Sequence, residues 1–394
     1  MKINSLKLTL LILSSTFLIS CESTKQLFDY GSVKTINQIE TIKISNINNL
    51  PICKVLIGEK EYKFLIDTGA PTVIPTEIFQ RLKLKSFFTE EITDTNNKKR
   101  KQNFTILPEI KIDNLIFKEI GCVVMDIETP ALKCFGFDGI IGANLLAKMV
   151  WQFDYSKNEF RATLDFKNFN QKYDYIIPFE YKNQKTPKIN GKIFDKELPF
   201  TFDTGYNGKI SINEDYESFI KKIDEKKIIK TRGANTVGLF GKDDFKDNFI
   251  IKSNFELGGI LFKDELITSG NSTIIGNEFL KNYLITIDWT TKKMYFKIIN
   301  SPIKKTLKSF GFSYIFKDNN AFVVTKFENQ SIPIELNDRI LMINKIDFSN
   351  LSNEKVCEYS LKKIDDSFLD VIEITVERKG EILTYKLTKK DFIK

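Results

Sequence analysis

The chain has 394 residues, a length that suits two or three domains, and its 42% apolar content with 34 Phe is enough for real cores. It contains no His, which excludes Ser-His-Asp and Cys-His catalytic sets and removes the commonest zinc ligand. The net charge of +8 falls to +6 when Lys2 and Lys7 of the leader are set aside, and the excess is spread along the chain, so no nucleic-acid surface is expected.

Residues 1–20 open with Lys2 and Lys7 and continue as an apolar run from Leu8 to Ile19. The run is too short to span a bilayer, which takes about 20 apolar residues, and it reads as a signal peptide. Its ending, Leu18-Ile19-Ser20-Cys21, resembles a bacterial lipobox. That resemblance implies cleavage before Cys21 and lipidation of Cys21. The alternative is an ordinary secretory signal with an incidental cysteine. Residues 21–44 are polar and read as a tether. The body is therefore expected to be lipid-anchored at the cell envelope, facing the periplasm or the exterior.

From Pro51 the chain is strand-rich. Cys53-Lys54-Val55-Leu56-Ile57 alternates weakly, Gly58-Glu59-Lys60 turns it, and Phe64-Leu65-Ile66 runs into Asp67-Thr68-Gly69-Ala70. A carboxylate at the end of a buried strand is costly unless something satisfies or uses it. A short helix is expected near Glu77–Leu84. Gly139-Ile140-Ile141-Gly142 follows, then Asp154 in an apolar strand ahead of a polar turn.

The layout recurs. Pro187 leads through the turn Asp195-Lys196 into Phe200-Thr201-Phe202-Asp203-Thr204-Gly205, and Asp203 lies 136 residues after Asp67. Thr273-Ile274-Ile275-Gly276 and Asp288 then follow 134 residues after their counterparts. A second helix is expected near Glu214–Lys222. Landmarks in one order at one offset indicate a domain-sized duplication. Turns every eight to twelve residues indicate barrels or sandwiches.

Asp-Thr-Gly with a leading strand and a later Ile-Ile-Gly, each present twice, resembles the aspartic proteases, pepsin-like and retropepsin-like. The resemblance covers about residues 45–300. It implies two lobes, residues 45–166 and 167–300, with Asp67 and Asp203 as a catalytic dyad inside one chain, so that a monomer is sufficient. Two carboxylates about 3 Å apart cannot both ionise and share a proton. One then takes a proton from water while the other protonates the scissile carbonyl, with no metal or cofactor. The resemblance also gives Thr68 and Thr204 the task of holding the loops through reciprocal hydrogen bonds. Gly69 and Gly205 let the backbone approach the carboxylates, and the strands ending in Gly142 and Gly276 buttress the loops. One departure is Tyr206, where the family has a small residue; it either crowds the dyad or points into a substrate pocket. Substrate-covering hairpins are expected near Thr93–Leu107, whose basic run Lys98-Lys99-Arg100-Lys101 reads as a solvated face, and near Gly233–Gly241. Asp154 and Asp288 read as structural.

Four cysteines remain after Cys21. Cys122 and Cys134 are close enough to staple a loop, although connectivity is not legible, and Cys357 reads as a small buried hydrophobe in a helix.

Residues 301–394 form a different unit: a strand entered from Ser309–Phe312, another at Ala321–Val324, the run Leu336–Asn344, a helix near Asn353–Lys363, and a hairpin of Val371–Arg378 with Ile382–Leu387. Ser309-Phe310-Gly311-Phe312 and Asn337-Asp338-Arg339-Ile340 resemble the carboxylate-binding loop and the Gly-Asp-x-Ile turn of PDZ domains. The resemblance implies that Ser309, Phe310, Gly311 and Phe312 receive a peptide C-terminus; the alternative is a module that braces the second lobe. The fold expected is mainly β, a two-lobed aspartic protease β-barrel fold plus a C-terminal PDZ domain of α+β type. The function expected is an aspartic endopeptidase acting on polypeptides, with no nucleic-acid partner. The alternative is a non-catalytic peptide-binding envelope lipoprotein with a degenerate protease fold.

Overall fold

A computed structural model describes residues 24–34, 38–194, 196–214, 227–234, 236–300, 306–328 and 331–393. The leader with Cys21 and nearly all of the expected helix at Glu214–Lys222 lie outside the described residues. The protein is mainly β.

The first barrel is built from amphipathic strands. Leu50–Ile57 and Lys60–Asp67 pair antiparallel around Gly58, whose φ of 63° suits a tight turn. Burial deepens along the second strand until Phe64, Leu65, Ile66 and Asp67 are all buried. Gly139–Gly142 pairs with this strand in parallel, setting Gly142 opposite Asp67. Val73–Ile74, Leu115–Val124 and Lys99–Ile112 carry the sheet round to Leu50–Ile57 and close it. The expected first helix is Thr76–Arg81.

The second barrel repeats this strand for strand. Pro187–Ile193 alternates cleanly between buried and exposed. It pairs with Lys196–Phe202, which lies parallel to Ile274–Ile275. Ile210–Ile212, Ile260–Ser269 and Lys246–Leu257 complete the ring back to Pro187–Ile193. Phenylalanine fills this half: Phe255 stacks on Phe262 at 5.2 Å and meets Phe279 edge-on at 5.7 Å.

A six-stranded sheet joins the lobes, ordered Tyr175–Pro178, Lys293–Ile298, Tyr283–Asp288, Val150–Asp154, Glu159–Thr163 and Glu40–Lys43; the last strand, with buried Leu27 and Phe28, corrects the tether expected over 21–44, since the described part of that stretch packs on the first lobe. The junction is the pairing of Trp151 with Ile287, with Gln152 Nε2 donating to Thr286 Oγ1 at 2.9 Å. One apolar core runs through both lobes. Asp154 and Asp288 cap the turns that follow them: Asp154 accepts from Ser156 Oγ at 2.6 Å and Asp288 from Thr291 Oγ1 at 2.7 Å.

The C-terminal module has a separate core that includes Phe310, Phe312, Val323, Ile340, Phe348 and Ile374. Its strands Phe312–Lys317, Asn320–Phe327, Arg339–Ile343, Val371–Arg378 and Glu381–Thr388 form a sheet flanked by the helix Asn353–Leu361. The module is joined to both lobes. Asn320–Phe327 pairs with Ile228–Gly233 of the second lobe, which makes one continuous sheet.

The cysteine expectations are corrected. Cys134 is bonded to Cys357, 223 residues away, and not to Cys122. Cys122 lies on the strand Leu115–Val124 with its thiol buried inside the first barrel, where Cys134 has no access. Cys134 sits just after the short surface helix Pro130–Lys133 and faces the C-terminal module. Among the described residues no helix is long and apolar enough to cross a membrane.

Candidate active site

Each parallel strand pair ends in a loop, and the two loops interlock. Thr68 Oγ1 donates to Phe202 O at 2.7 Å and accepts from Thr204 N at 3.1 Å. Thr204 Oγ1 donates to Ile66 O at 2.8 Å and accepts from Thr68 N at 3.0 Å. Both threonines are fully buried, so their hydroxyls and amides depend on the other lobe.

The knot sets Asp67 and Asp203 side by side, hydrogen-bonded to each other and 9% and 7% exposed. Gly69 N donates to Asp67 Oδ1 at 2.7 Å, and Gly205 N to Asp203 Oδ1 at 2.8 Å. Each carboxylate also rests on the opposite loop. A Cβ on Gly205 would lie 2.2 Å from Asp67 Oδ2, and one on Gly69 would lie 2.5 Å from Asp203 Cγ. Close approach is therefore the reason for glycine here; neither residue has a positive φ. Gly142 and Gly276 buttress the loops in the same manner: a Cβ on Gly142 would meet Pro71 C at 2.1 Å, and one on Gly276 would meet Tyr206 Cδ1 at 2.4 Å.

Burial raises the pKa of both acids, and that of Asp203 most, because the Asp67 charge and the hydrogen bond to Asp67 add to it. Asp67 is held down by amides of Gly69, Ala70 and Gly205 and by the hydrogen bond from Asp203. The two carboxylates therefore titrate as a pair that shares one proton. Such a pair can accept a proton at one carboxylate while giving one from the other.

Tyr206 does not crowd the pair. Its ring folds back over Gly208 and Gly276, its hydroxyl reaches Thr268, and burial pushes its pKa up to about 12. Two positioning residues have no counterpart in the motif reading. Asn277 Nδ2 donates to Thr204 O at 2.6 Å while its Oδ1 accepts from Tyr155 OH at 2.5 Å. Asn144 Oδ1 accepts from Thr72 N at 2.8 Å, and its Nδ2 donates to Gly121 O at 2.9 Å. The available signal was a lone amide in the apolar run after each Ile-Ile-Gly, two residues past Gly142 but one past Gly276.

Two hairpins, one from each lobe, meet tip to tip. The first joins Phe88–Thr93 to Lys99–Ile112, and the second joins Val237–Gly238 to Gly241–Lys242. Phe240 N donates to Asp94 Oδ2 at 2.9 Å, Asn96 Nδ2 donates to Gly241 O at 2.9 Å, and Asn96 Oδ1 accepts from Thr236 Oγ1 at 2.7 Å. The basic run is largely solvated, with one exception. Lys99, Arg100 and Lys101 are exposed as expected, with Arg100 4.8 Å over the Phe240 ring, whereas Lys98 is half-buried and its Nζ donates to Lys242 O at 2.6 Å.

Ser309, Phe310, Gly311 and Phe312 lie together at the head of the strand Phe312–Lys317, with Gly311 at φ 85°. Two of their amides have acceptors inside the module: Phe310 N donates to Asp365 Oδ1 at 2.8 Å and Gly311 N to Ser309 Oγ at 2.9 Å.

Residues 53–145 match the sequence model of a family described as aspartyl protease, so this stretch is an aspartic-protease-like domain. No curated protein matches the chain significantly.

Proposed function

We propose that the chain is an aspartic endopeptidase tethered at the cell envelope, with Asp67 and Asp203 as its dyad and a C-terminal PDZ domain for peptide capture or regulation. The observation that carries this reading is the pair of hydrogen-bonded, buried carboxylates inside the Thr68–Thr204 knot, built from one chain. Ionised Asp67 takes a proton from the attacking water while Asp203 gives its proton to the scissile carbonyl oxygen. Collapse of the tetrahedral adduct then moves a proton to the leaving amine and breaks the C–N bond. The interlocked hairpins would form the roof that shields this step from bulk water and would part to admit substrate. Tyr206, folded away from the dyad, favours an enzyme over the non-catalytic peptide binder.

The test is cleavage of a mixed peptide library by residues 22–394 from acidic to neutral pH. Cleavage is expected, and it is expected to vanish in both Asp67→Asn and Asp203→Asn. Activity surviving either substitution would remove the dyad assignment, and no cleavage at all would favour the binder. Anchoring is tested separately: labelled lipid is expected on the full chain and is lost in Cys21→Ala.

A further inference from the structure

The C-terminal module carries a groove between the strand Phe312–Lys317, which pairs on one side only among the described residues, and the helix Asn353–Leu361. The helix Pro130–Lys133 of the first lobe packs against both walls of this groove. The next residue, Cys134, is bonded to Cys357 on the groove helix, with the two Cα atoms 5.0 Å apart. Leu361 of the same helix packs into the apolar cluster that holds Leu132 and Phe135. At the head of the groove, the Phe310 amide is taken by the Asp365 carboxylate. A side chain of the module thus stands where the C-terminal carboxylate of a peptide would be received.

We propose that this groove is occupied in cis: the first-lobe segment 130–135 is its resident occupant, Asp365 fills the anion seat, and the Cys134–Cys357 bond locks both until it is reduced. The proposal rests on reading the module as a PDZ domain. It specifies what that domain does when oxidised, which is to hold its own first lobe and exclude peptides bearing a free carboxylate. Both cysteines are half-buried, so a dithiol reductant has access. Its thiolate attacks one bridge sulfur and displaces the other as a thiolate; its second thiol then resolves the mixed disulfide. Cys134 and Cys357 are left as thiols and the reductant as a disulfide. The lock also reaches the roof hairpins. Immediately before the segment, Thr129 Oγ1 donates to Leu239 O at 2.8 Å and Glu128 pairs with Arg100 at 2.9 Å. Displacing residues 130–135 therefore loosens the second hairpin.

The experiment compares the full-length protein when oxidised, when reduced with dithiothreitol, and as the triple variant Cys134→Ser/Cys357→Ser/Leu132→Asp. The reduced wild type guards against a folding defect in the variant. Hydroxyl-radical footprinting follows Leu132, Phe135 and Leu361, and amide exchange follows residues 237–242. Fluorescence polarisation measures a labelled random hexapeptide pool with a free carboxylate against the same pool amidated. Reduction and the triple variant are expected to raise labelling and exchange. They are also expected to tighten binding of the free-carboxylate pool about tenfold or more, as removal of a tethered competitor does. Unchanged footprints, or equal binding by the oxidised protein, overturn the proposal. Raised labelling without carboxylate-dependent binding supports occupancy in cis and overturns the PDZ reading alone.

Discussion

Thr204→Val is the sharpest probe of the loop knot. Valine keeps the shape of threonine but removes the hydroxyl that donates to Ile66 O and accepts from Thr68 N. Both partners are left buried and unpaired, since Thr68 and Ile66 are 0% exposed. Each orphaned group costs about 1–3 kcal/mol, so the loss is on the order of 2–6 kcal/mol. Thr204→Ser retains both bonds and forfeits only a methyl, which costs about 1 kcal/mol. The chain's two tryptophans make the assay selective. Trp151 pairs across the lobe junction with Ile287, so its fluorescence reports separation of the lobes, whereas Trp289, whose Nε1 donates to Lys185 O at 3.0 Å, reports the second lobe itself. Urea titration should place the Val midpoint well below that of wild type and the Ser midpoint near it, with peptide cleavage following the same order. A Val variant as stable as the Ser variant would show that the reciprocal hydroxyls do not hold the lobes together.

The carboxylate pair predicts a pH signature. Both folded pKa values lie above the usual 3.8, so the stability the pair contributes is fully present below about pH 3.8 and is lost as pH rises through the folded values. Asp203→Asn should therefore flatten the stability profile above pH 4 and raise the urea midpoint at pH 7; a slope identical to wild type would refute the assignment. In the C-terminal module, Arg378 Nε and Nη2 each donate at 2.7 Å to Asp338, which is 1% exposed. Arg378→Met strands that buried carboxylate and should destabilise the module by about 3–5 kcal/mol. Thermal unfolding of the oxidised protein checks this, and a change below about 1 kcal/mol would contradict it.

What was legible in the sequence was whatever repeats locally. Asp-Thr-Gly and Ile-Ile-Gly each occupy a few residues, and their common offset survives because each parallel pair needs its strand end and its glycine in register. Strand-rich halves follow from period-two alternation, as in Pro187–Ile193. Contacts between distant loops leave no such trace. Cys134 had a sequence neighbour in Cys122, but the inward face of a barrel strand removed Cys122 from reach. Asn144 and Asn277 escaped notice because they sit at different distances from their glycines and serve different carbonyls, those of Gly121 and Thr204. The run Lys98–Lys101 is largely solvated as its charge suggests, but no local pattern announces that Lys98 meets a partner hairpin 144 residues on.

The departures from two-fold symmetry fall in an ordered way. Symmetry is strictest at the knot, where the four hydrogen bonds form two matching pairs. One shell out, the asparagines already differ in what they hold. At the roof the difference is larger still, a long hairpin from the first lobe against a short one from the second. Burial raises the pKa of both acids, and the Asp67 charge adds to the rise at Asp203, although the two loops share one motif. Duplication within one chain lets the second loop keep Tyr206, whose amide bonds Asp203 while its ring fills the space over Gly276. The unorthodox residue thus braces the Asp203 loop without crowding the carboxylate pair.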